Sequence, residues 1–275
     1  MTVPEGYPVP PPLQPPMREP TVDLDVFPPQ QHSRWTVLLR LILIIPQAIA
    51  VWALGIAALV VVICGWFGAL FTGRLPQWCG DFLRGYTAYT TRVYGYGMLL
   101  VDDYPPFSWD APEYPVRVWF HPPTELNRLA VLFRLILAFP ILVLSSWLTS
   151  GWAVISIILW LIVLITGRMP QAVFESTAAV LRAQLRTGAY TYLLTPTYLK
   201  GVFGDGQAST GPAMPTGQPA QSPTRPLLVS GAGRVLLIVI LVVGILTSFA
   251  QSTVNTSSYD DETDTVSSSH RINSR

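Results

Sequence analysis

The sequence predicts an all-α membrane protein: two tandem transmembrane helical hairpins with interfacial amphipathic helices, short cytoplasmic β-strands and a C-terminal single span. Three observations lead to this prediction. Half of the 275 residues are hydrophobic and only 12% are charged, whereas soluble domains carry about 25% charged residues. The chain repeats itself after 94 residues. Long apolar runs occupy residues 35–72, 129–166 and 235–250.

The repeat rests on residue types that chance does not align in register. A shift of 94 residues lays Arg34 and Arg40 on Arg128 and Arg134. The same shift aligns further residues: Thr-Gly-Arg at 72–74 with 166–168, Pro46 with Pro140, Trp66 with Trp160, Tyr96 with Tyr190, and Tyr104 with Tyr198. The sequence therefore predicts two copies of one membrane unit, at residues 22–110 and 114–203.

Each unit opens with alternating apolar and polar residues, at 22–26 and 116–120, which predicts a short strand. The apolar run that follows holds one charge in 38 residues. A single helix of that length would measure roughly 57 Å, nearly twice the ~30 Å of the bilayer core. We therefore predict that each run folds back as two spans, turning near residues 53–55 and 145–151. An obliquely inserted or re-entrant hairpin is the alternative.

Both apolar runs end in Thr-Gly-Arg-x-Pro-Gln, which is typical of one helix stopping and the next beginning. Apolar residues then recur at three- and four-residue spacing, from Trp78 to Tyr96 and from Phe174 to Tyr192. This pattern predicts an amphipathic helix in each unit, lying at the interface or under the hairpins. The aromatic residues on it are expected to serve packing.

The flanking segments have distinct compositions. Residues 1–21 are Pro-rich, which predicts a disordered segment with PxxP spacing that could dock a protein partner. Residues 204–230 read as a Gly/Pro-rich linker, 231–251 as a C-terminal transmembrane helix, and 252–275 as a Ser/Thr-rich acidic tail. No cleavable signal peptide is visible, and fifteen of the seventeen Lys and Arg residues fall on segments that the hairpin arrangement places on the cytoplasmic side. We expect five spans in the cell (inner) membrane, with the N-terminus cytoplasmic and the C-terminus outside. The two units would then share one orientation, with any pseudo-twofold axis along the membrane normal.

The candidate site is a set of arginines that flank the hairpins, expected to contact lipid headgroups or another anion: Arg34, Arg40, Arg74, Arg128, Arg134 and Arg168. Plain anchoring at the interface is the simpler interpretation. The partners predicted from this set are membrane lipids, anionic ones in particular. A net charge of +1 argues against nucleic acid. No catalytic, metal-binding or cofactor motif is present.

The sequence favours a non-enzymatic scaffold, or a protein that interacts with lipids or a partner. A small transporter or channel that uses the groove between the hairpins is the alternative. An enzyme would need Asp81, Glu175 or Gln47 to converge on a pocket. Asp81 and Glu175 share a repeat position, which suits either a coupled site or pairing with nearby arginines.

Several of these motifs together resemble a known family. They are Arg-x₅-Arg-Leu-Ile-Leu-x-x-Pro, Thr-Gly-Arg-x-Pro and Tyr104-Pro105-Pro106-Phe107-Ser108. They resemble the domain of unknown function 4389 family, whose members are uncharacterised membrane proteins that often carry the unit in tandem. The resemblance covers residues 22–203, and the second copy departs at Tyr198-Leu199-Lys200. It implies a membrane location and a fold, and no catalytic residues.

Overall fold

The computed structural model describes residues 22–29, 31–122, 125–199, 201–204, 224 and 226–272, with side chains as far as residue 251. These ranges contain two strands and six helices. In chain order they are β1 (Asp23–Val26), α1 (Arg34–Thr72), α2 (Gln77–Gly97), β2 (Val116–Trp119), α3 (Arg128–Leu132), α4 (Arg134–Thr166), α5 (Gln171–Thr191) and α6 (Gly231–Ile272).

The predicted hairpins are wrong, because α1 and α4 run as continuous helices through residues 53–55 and 145–151. Neither stretch contains a proline, and the prolines of the two runs, Pro46 and Pro140, lie inside the helices. Each helix ends only at the glycine of the corner motif. Gly73 and Gly167 adopt φ values of 75° and 68°, the left-handed conformation that stops a helix at little steric cost to glycine. Each unit therefore contributes one long apolar helix.

The predicted strands and amphipathic helices are confirmed. β1 and β2 pair antiparallel, with Leu24 opposite Val118. α2 and α5 each begin directly after the corner proline, Pro76 or Pro170. Three helices are long and apolar enough to cross a membrane: α1, α4 and the part of α6 from Gly231 to Gln251.

The helices of the two units stack in layers. α1 and α4 form one layer, and α2 and α5 form the next, with α1 on α2 and α4 on α5. The two-stranded sheet packs on α2 and α5 and makes no contact with α1 or α4. α6 packs beside α4 and α5. The largest buried cluster lies between α5, α6, α4 and the sheet, and includes Leu24, Leu181 and Leu237.

Equivalent hydrogen bonds join the two units in both directions. The His32 amide donates to the Gly167 carbonyl and the Leu126 amide to the Gly73 carbonyl, both at 2.9 Å. The indoles repeat this reciprocity: Trp160 Nε1 donates to Val37 O at 2.9 Å, and Trp66 Nε1 donates to Val131 O at 2.8 Å. The start of each apolar helix therefore meets the end of the other. α1 and α4 are antiparallel, and a pseudo-twofold axis passes through the layers at right angles.

Candidate functional site

Each unit buries one arginine of its apolar helix against the end of its amphipathic helix. Arg40 and Arg134 are only 2% and 3% exposed. Arg40 Nη1 donates to the Tyr96 carbonyl at 2.5 Å, and Arg134 Nε donates to the Tyr190 carbonyl at 2.8 Å. Both guanidinium groups also lie over the ring of that tyrosine, with Cζ 4.3 Å and 3.8 Å from the ring centroid. These contacts are cation–π interactions added to charge-assisted hydrogen bonds.

A second tyrosine extends each cluster. The rings of Tyr96 and Tyr104 are 5.7 Å apart and nearly perpendicular, as are those of Tyr190 and Tyr198 at 5.5 Å. Shortly after the first tyrosine, Leu99 and Leu193 adopt φ values of 65° and 64°. This conformation is uncommon for a non-glycine residue, and its presence in both units shows that the turn after the amphipathic helix is built the same way twice. We call each group, Arg40 with Tyr96 and Tyr104 or Arg134 with Tyr190 and Tyr198, an arginine–tyrosine cluster.

The two clusters neutralise the buried charge differently. In the first unit, Arg40 Nη2 lies 2.9 Å from Asp102 Oδ1. The same carboxylate accepts from the Ser33 amide at 3.0 Å and the Thr36 hydroxyl at 2.6 Å. Asp102 therefore also caps the start of α1, where Ser33 provides no side-chain cap.

In the second unit, Pro196 occupies the repeat position of Asp102. Arg134 Nη2 donates instead to the carbonyl of Thr195. Within the described part of the chain, no carboxylate pairs with Arg134. Backbone carbonyl dipoles and the face of the Tyr190 ring therefore stabilise the charge of Arg134, as the carboxylate of Asp102 stabilises that of Arg40.

His32 belongs to the first cluster. Its Nδ1 is 3.7 Å from Asp102 Oδ1, and the side chain is 2% exposed. Burial, together with the neighbouring Arg40 charge, lowers the pKa of His32, although Asp102 acts in the opposite direction. The imidazole is therefore held in its neutral form at neutral pH.

The remaining four arginines of the predicted site are exposed: Arg34, Arg74, Arg128 and Arg168. The reciprocal contacts bring them together in pairs. Arg74 and Arg128 flank Gly73 at one end of the α1–α4 layer. At the other end the hydrogen bond between His32 and Gly167 joins the segments that carry Arg34 and Arg168. Arg74 also pairs with Glu125, which lowers the pKa of that carboxyl group.

The polar residues considered for an enzyme lie in three separate environments. Gln47 donates to the Pro105 carbonyl at 2.7 Å and accepts from the Tyr89 hydroxyl. Glu175 accepts from Gln171 at 2.9 Å and from the amide that precedes α6, Ser230 N, at 2.8 Å. Asp81 pairs with Arg84 at 2.8 Å. The predicted pairing with arginine is confirmed for Asp81 and wrong for Glu175, which holds the start of α6.

Asp81 and Arg84 line a cleft of about 530 Å³ on the sheet side of α2, with Phe82, Trp109, Asp110 and Phe120 among its walls. The described residues contain no group of three or more His, Cys, Asp or Glu side chains that could hold a metal ion.

The sequence indicated some cluster residues and not others. The repeat aligns Arg40, Tyr96 and Tyr104 with Arg134, Tyr190 and Tyr198. In the structure the three residues of each unit lie together. Asp102 and His32 carried no such signal, because neither is repeated and Asp102 lies 62 residues from Arg40 in the chain.

Three helices that are long and apolar enough to cross a membrane suggest a membrane protein. The chain belongs to the family described as Domain of unknown function (DUF4389), whose profile matches it twice, at residues 34–108 and 128–198. This confirms the resemblance and its tandem copies. No curated protein and no solved structure matches the chain.

Proposed function

We propose that this protein is a non-enzymatic membrane scaffold that binds anionic lipid headgroups through Arg34, Arg74, Arg128 and Arg168. One observation carries the proposal: two pairs of exposed arginines sit at the two ends of a continuous apolar layer. Helices that immerse their apolar surface in hydrocarbon place their polar ends among headgroups, where guanidinium groups bind phosphate in a planar, two-pronged geometry. Arg40 and Arg134 are buried and are left out of the proposed contact.

The two ends should differ in strength. Arg74 shares its charge with Glu125, whereas neither Arg34 nor Arg168 has an ion-pair partner among the described residues. The Arg34–Arg168 end is therefore the stronger lipid site in this proposal. A polybasic contact contributes about fivefold in affinity per arginine near an anionic surface.

Lipids that co-purify with the full chain from native membranes, quantified by mass spectrometry, test the proposal. The double variant Arg34→Gln/Arg168→Gln should lose most of the bound anionic lipid, and Arg74→Gln/Arg128→Gln should lose less. Arg84→Gln is the matched control, because it removes one arginine from the opposite face. Equal anionic lipid content in the wild type, the two double variants and the control would contradict the proposal.

The membrane context belongs to the same proposal. We place the protein in the cell membrane with its N-terminus in the cytoplasm, the side on which membrane proteins concentrate Lys and Arg. The Pro-rich residues 1–21 lie outside the described residues, and we propose that their PxxP spacing binds a protein partner. Loss of a co-purifying protein on deletion of residues 2–20, with lipid content unchanged, is the expected result.

A small transporter or channel is the alternative function. It would not use a groove between two hairpins, because α1 and α4 are single helices. Gln47, a buried polar side chain of α1, makes hydrogen bonds through both its amide oxygen and its nitrogen. Solute flux into liposomes that contain the purified protein would support this alternative.

A further inference from the structure

We infer that the two repeats lie on one side of the membrane, with α1 and α4 embedded lengthwise in a single leaflet rather than crossing the bilayer. This placement rests on the whole apolar layer and does not depend on whether the exposed arginines bind a particular lipid.

The elements that pack beside α1 would be immersed with it if it crossed the bilayer. α2 runs back along it: Gln47 meets Tyr89, and the middle of α1, at Gly55, lies against the Tyr86 hydroxyl. β2 in turn covers α2, with Val116 against Gly95. The strand leads to Phe120, which shares the cleft with Gly85 and Ala88.

If α1 crossed the bilayer, the sheet and the cleft would therefore lie at the depth of the hydrocarbon. The irregular segment 103–113, which is mostly exposed and whose Trp109 packs on Gly85, would lie there as well. Lipid-exposed irregular backbone does not occur within the hydrocarbon region, because each unpaired backbone group costs several kcal/mol there. The Asp81–Arg84 pair and the exposed Asp110 would also be immersed, at further cost. The layers therefore fit a membrane only if α1 and α4 face the lipid and the sheet faces water.

Helix length gives the second argument. Large apolar side chains are exposed along α1 from Trp35, which is 74% exposed, to Phe71, which is 72% exposed. That distance is roughly 54 Å at the usual helical rise. To fit it into a core of about 30 Å, a straight helix would have to tilt by roughly 55°, beyond the ~40° seen for spanning helices. A helix about 10 Å wide fits lengthwise within one leaflet, whose apolar part is about 15 Å deep.

The distribution of positive charge gives the third argument. Between residues 34 and 200 there are twelve Lys and Arg residues. Single crossings by α1 and α4 would split them between the two sides, because Arg34, Arg40 and Arg168 lie at one end of the apolar layer and Arg74, Arg128 and Arg134 at the other. Membrane proteins concentrate these residues on the cytoplasmic side. Lengthwise embedding puts all twelve on one side, and it aligns the pseudo-twofold axis with the membrane normal.

Single-cysteine labelling of the full chain in intact cells and in inverted membrane vesicles tests the inference. The background carries Cys64→Ala and Cys79→Ala. Four variants place a cysteine at an exposed position at either end of the apolar layer: Gln31→Cys, Gln77→Cys, Glu125→Cys and Gln171→Cys. A fifth, Trp52→Cys, probes the middle of α1. The probe is a membrane-impermeant maleimide, and detergent-solubilised protein shows that each site can react.

We expect the four end positions to react only from the cytoplasmic side, and the Trp52 position to react from neither side. Gln77 and Glu125 reacting from the side opposite to Gln31 and Gln171 would overturn the inference in favour of single crossings. Reaction at the Trp52 position from outside would overturn it in favour of a hairpin. Either reversal leaves the lipid-content experiment on the arginine variants unaffected, so the two proposals fail separately.

Discussion

Arg40 and Arg134 occupy the same place in the two repeats and depend on different partners. A buried guanidinium is costly unless its charge and its donors are all accommodated. Arg40 has a carboxylate, Asp102, at 2.9 Å. Arg134 has the carbonyls of Tyr190 and Thr195. The first guanidinium therefore has a countercharge, whereas the second has none: a single nitrogen, Arg134 Nη2, donates to both carbonyls.

Replacement by lysine should show how much the countercharge contributes. Arg40→Lys loses the bond to the Tyr96 carbonyl but keeps Asp102 beside its charge, and should cost about 1–3 kcal/mol. Arg134→Lys buries a compact, strongly hydrated ammonium group with no carboxylate beside it, and the desolvation of such an ion costs several kcal/mol. Thermal unfolding in detergent measures the difference, with Arg168→Lys as the exposed control. A larger loss at Arg40 than at Arg134 would contradict this account.

His32 should make stability depend on pH. Because burial and Arg40 lower its pKa in the folded protein, the unfolded chain binds the proton more tightly. Stability is therefore complete above the unfolded pKa of about 6.5 and falls as the pH drops through it. His32→Gln should be less sensitive to acid than the wild type between neutral pH and about pH 5. Parallel unfolding curves for the two proteins at both pH values would contradict the assignment, as would a pKa above 6.5 for His32 by NMR.

At the scale of elements, the sequence predicted the strands, the corners and the amphipathic helices, because each has a local cause. A Gly followed by Arg-x-Pro ends one helix and begins the next in both repeats, because glycine adopts the left-handed stop conformation and proline suits a helix start. The hairpins were predicted wrongly because the helix length was compared with the bilayer thickness, as if an apolar helix must lie along the membrane normal. The chain contains no turn signal at residues 53–55 beyond Gly55, and a single glycine is tolerated inside a helix. Asp102 was missed because contacts between distant, unrepeated residues leave no periodic pattern.

The crossing of α4 and α6 depends on two glycines that face each other. A Cβ atom at Gly151 would lie 1.8 Å from the Ile240 carbonyl oxygen, and one at Gly244 would lie 1.8 Å from that of Trp147. Both obstacles are backbone atoms, so a larger residue must push the helices apart. Small residues are what allow such close packing between apolar helices.

Gly244→Ala should therefore loosen α6, at a cost of about 1–3 kcal/mol from overpacking. Hydrogen–deuterium exchange over Gly231–Gln251 should rise, while exchange over α2 stays unchanged. Gly231→Ala is the matched control on the same helix, since nothing lies within 4 Å of a Cβ there. Unchanged protection of α6 in Gly244→Ala would show that the crossing is not held by this contact.

At the scale of the whole molecule, the reciprocal bonds make the two repeats one body. Each corner glycine, Gly73 or Gly167, accepts a hydrogen bond from the segment that leads into the other repeat's apolar helix. Each indole, Trp66 or Trp160, donates across the same junction. The apolar layer therefore has fixed dimensions and is closed at both ends. If the layer lies in one leaflet, as inferred above, its two helices enter the membrane as a single wedge.

Lengthwise insertion of that wedge should make the protein sensitive to curvature. Two helices about 10 Å wide and roughly 54 Å long add on the order of 1,000 Å² to one leaflet and nothing to the other. A convex surface relieves the mismatch, as it does for other helices that lie in the interface. After reconstitution, molecules whose sheet faces outward should be denser on small vesicles than on large ones of the same composition, measured by fluorescence per lipid. A single-span helical protein carrying the same label is the control. The labelling experiment could place the four end cysteines on one side while the protein density is equal on both vesicle sizes. That result would mean that the apolar layer lies too deep to expand either leaflet.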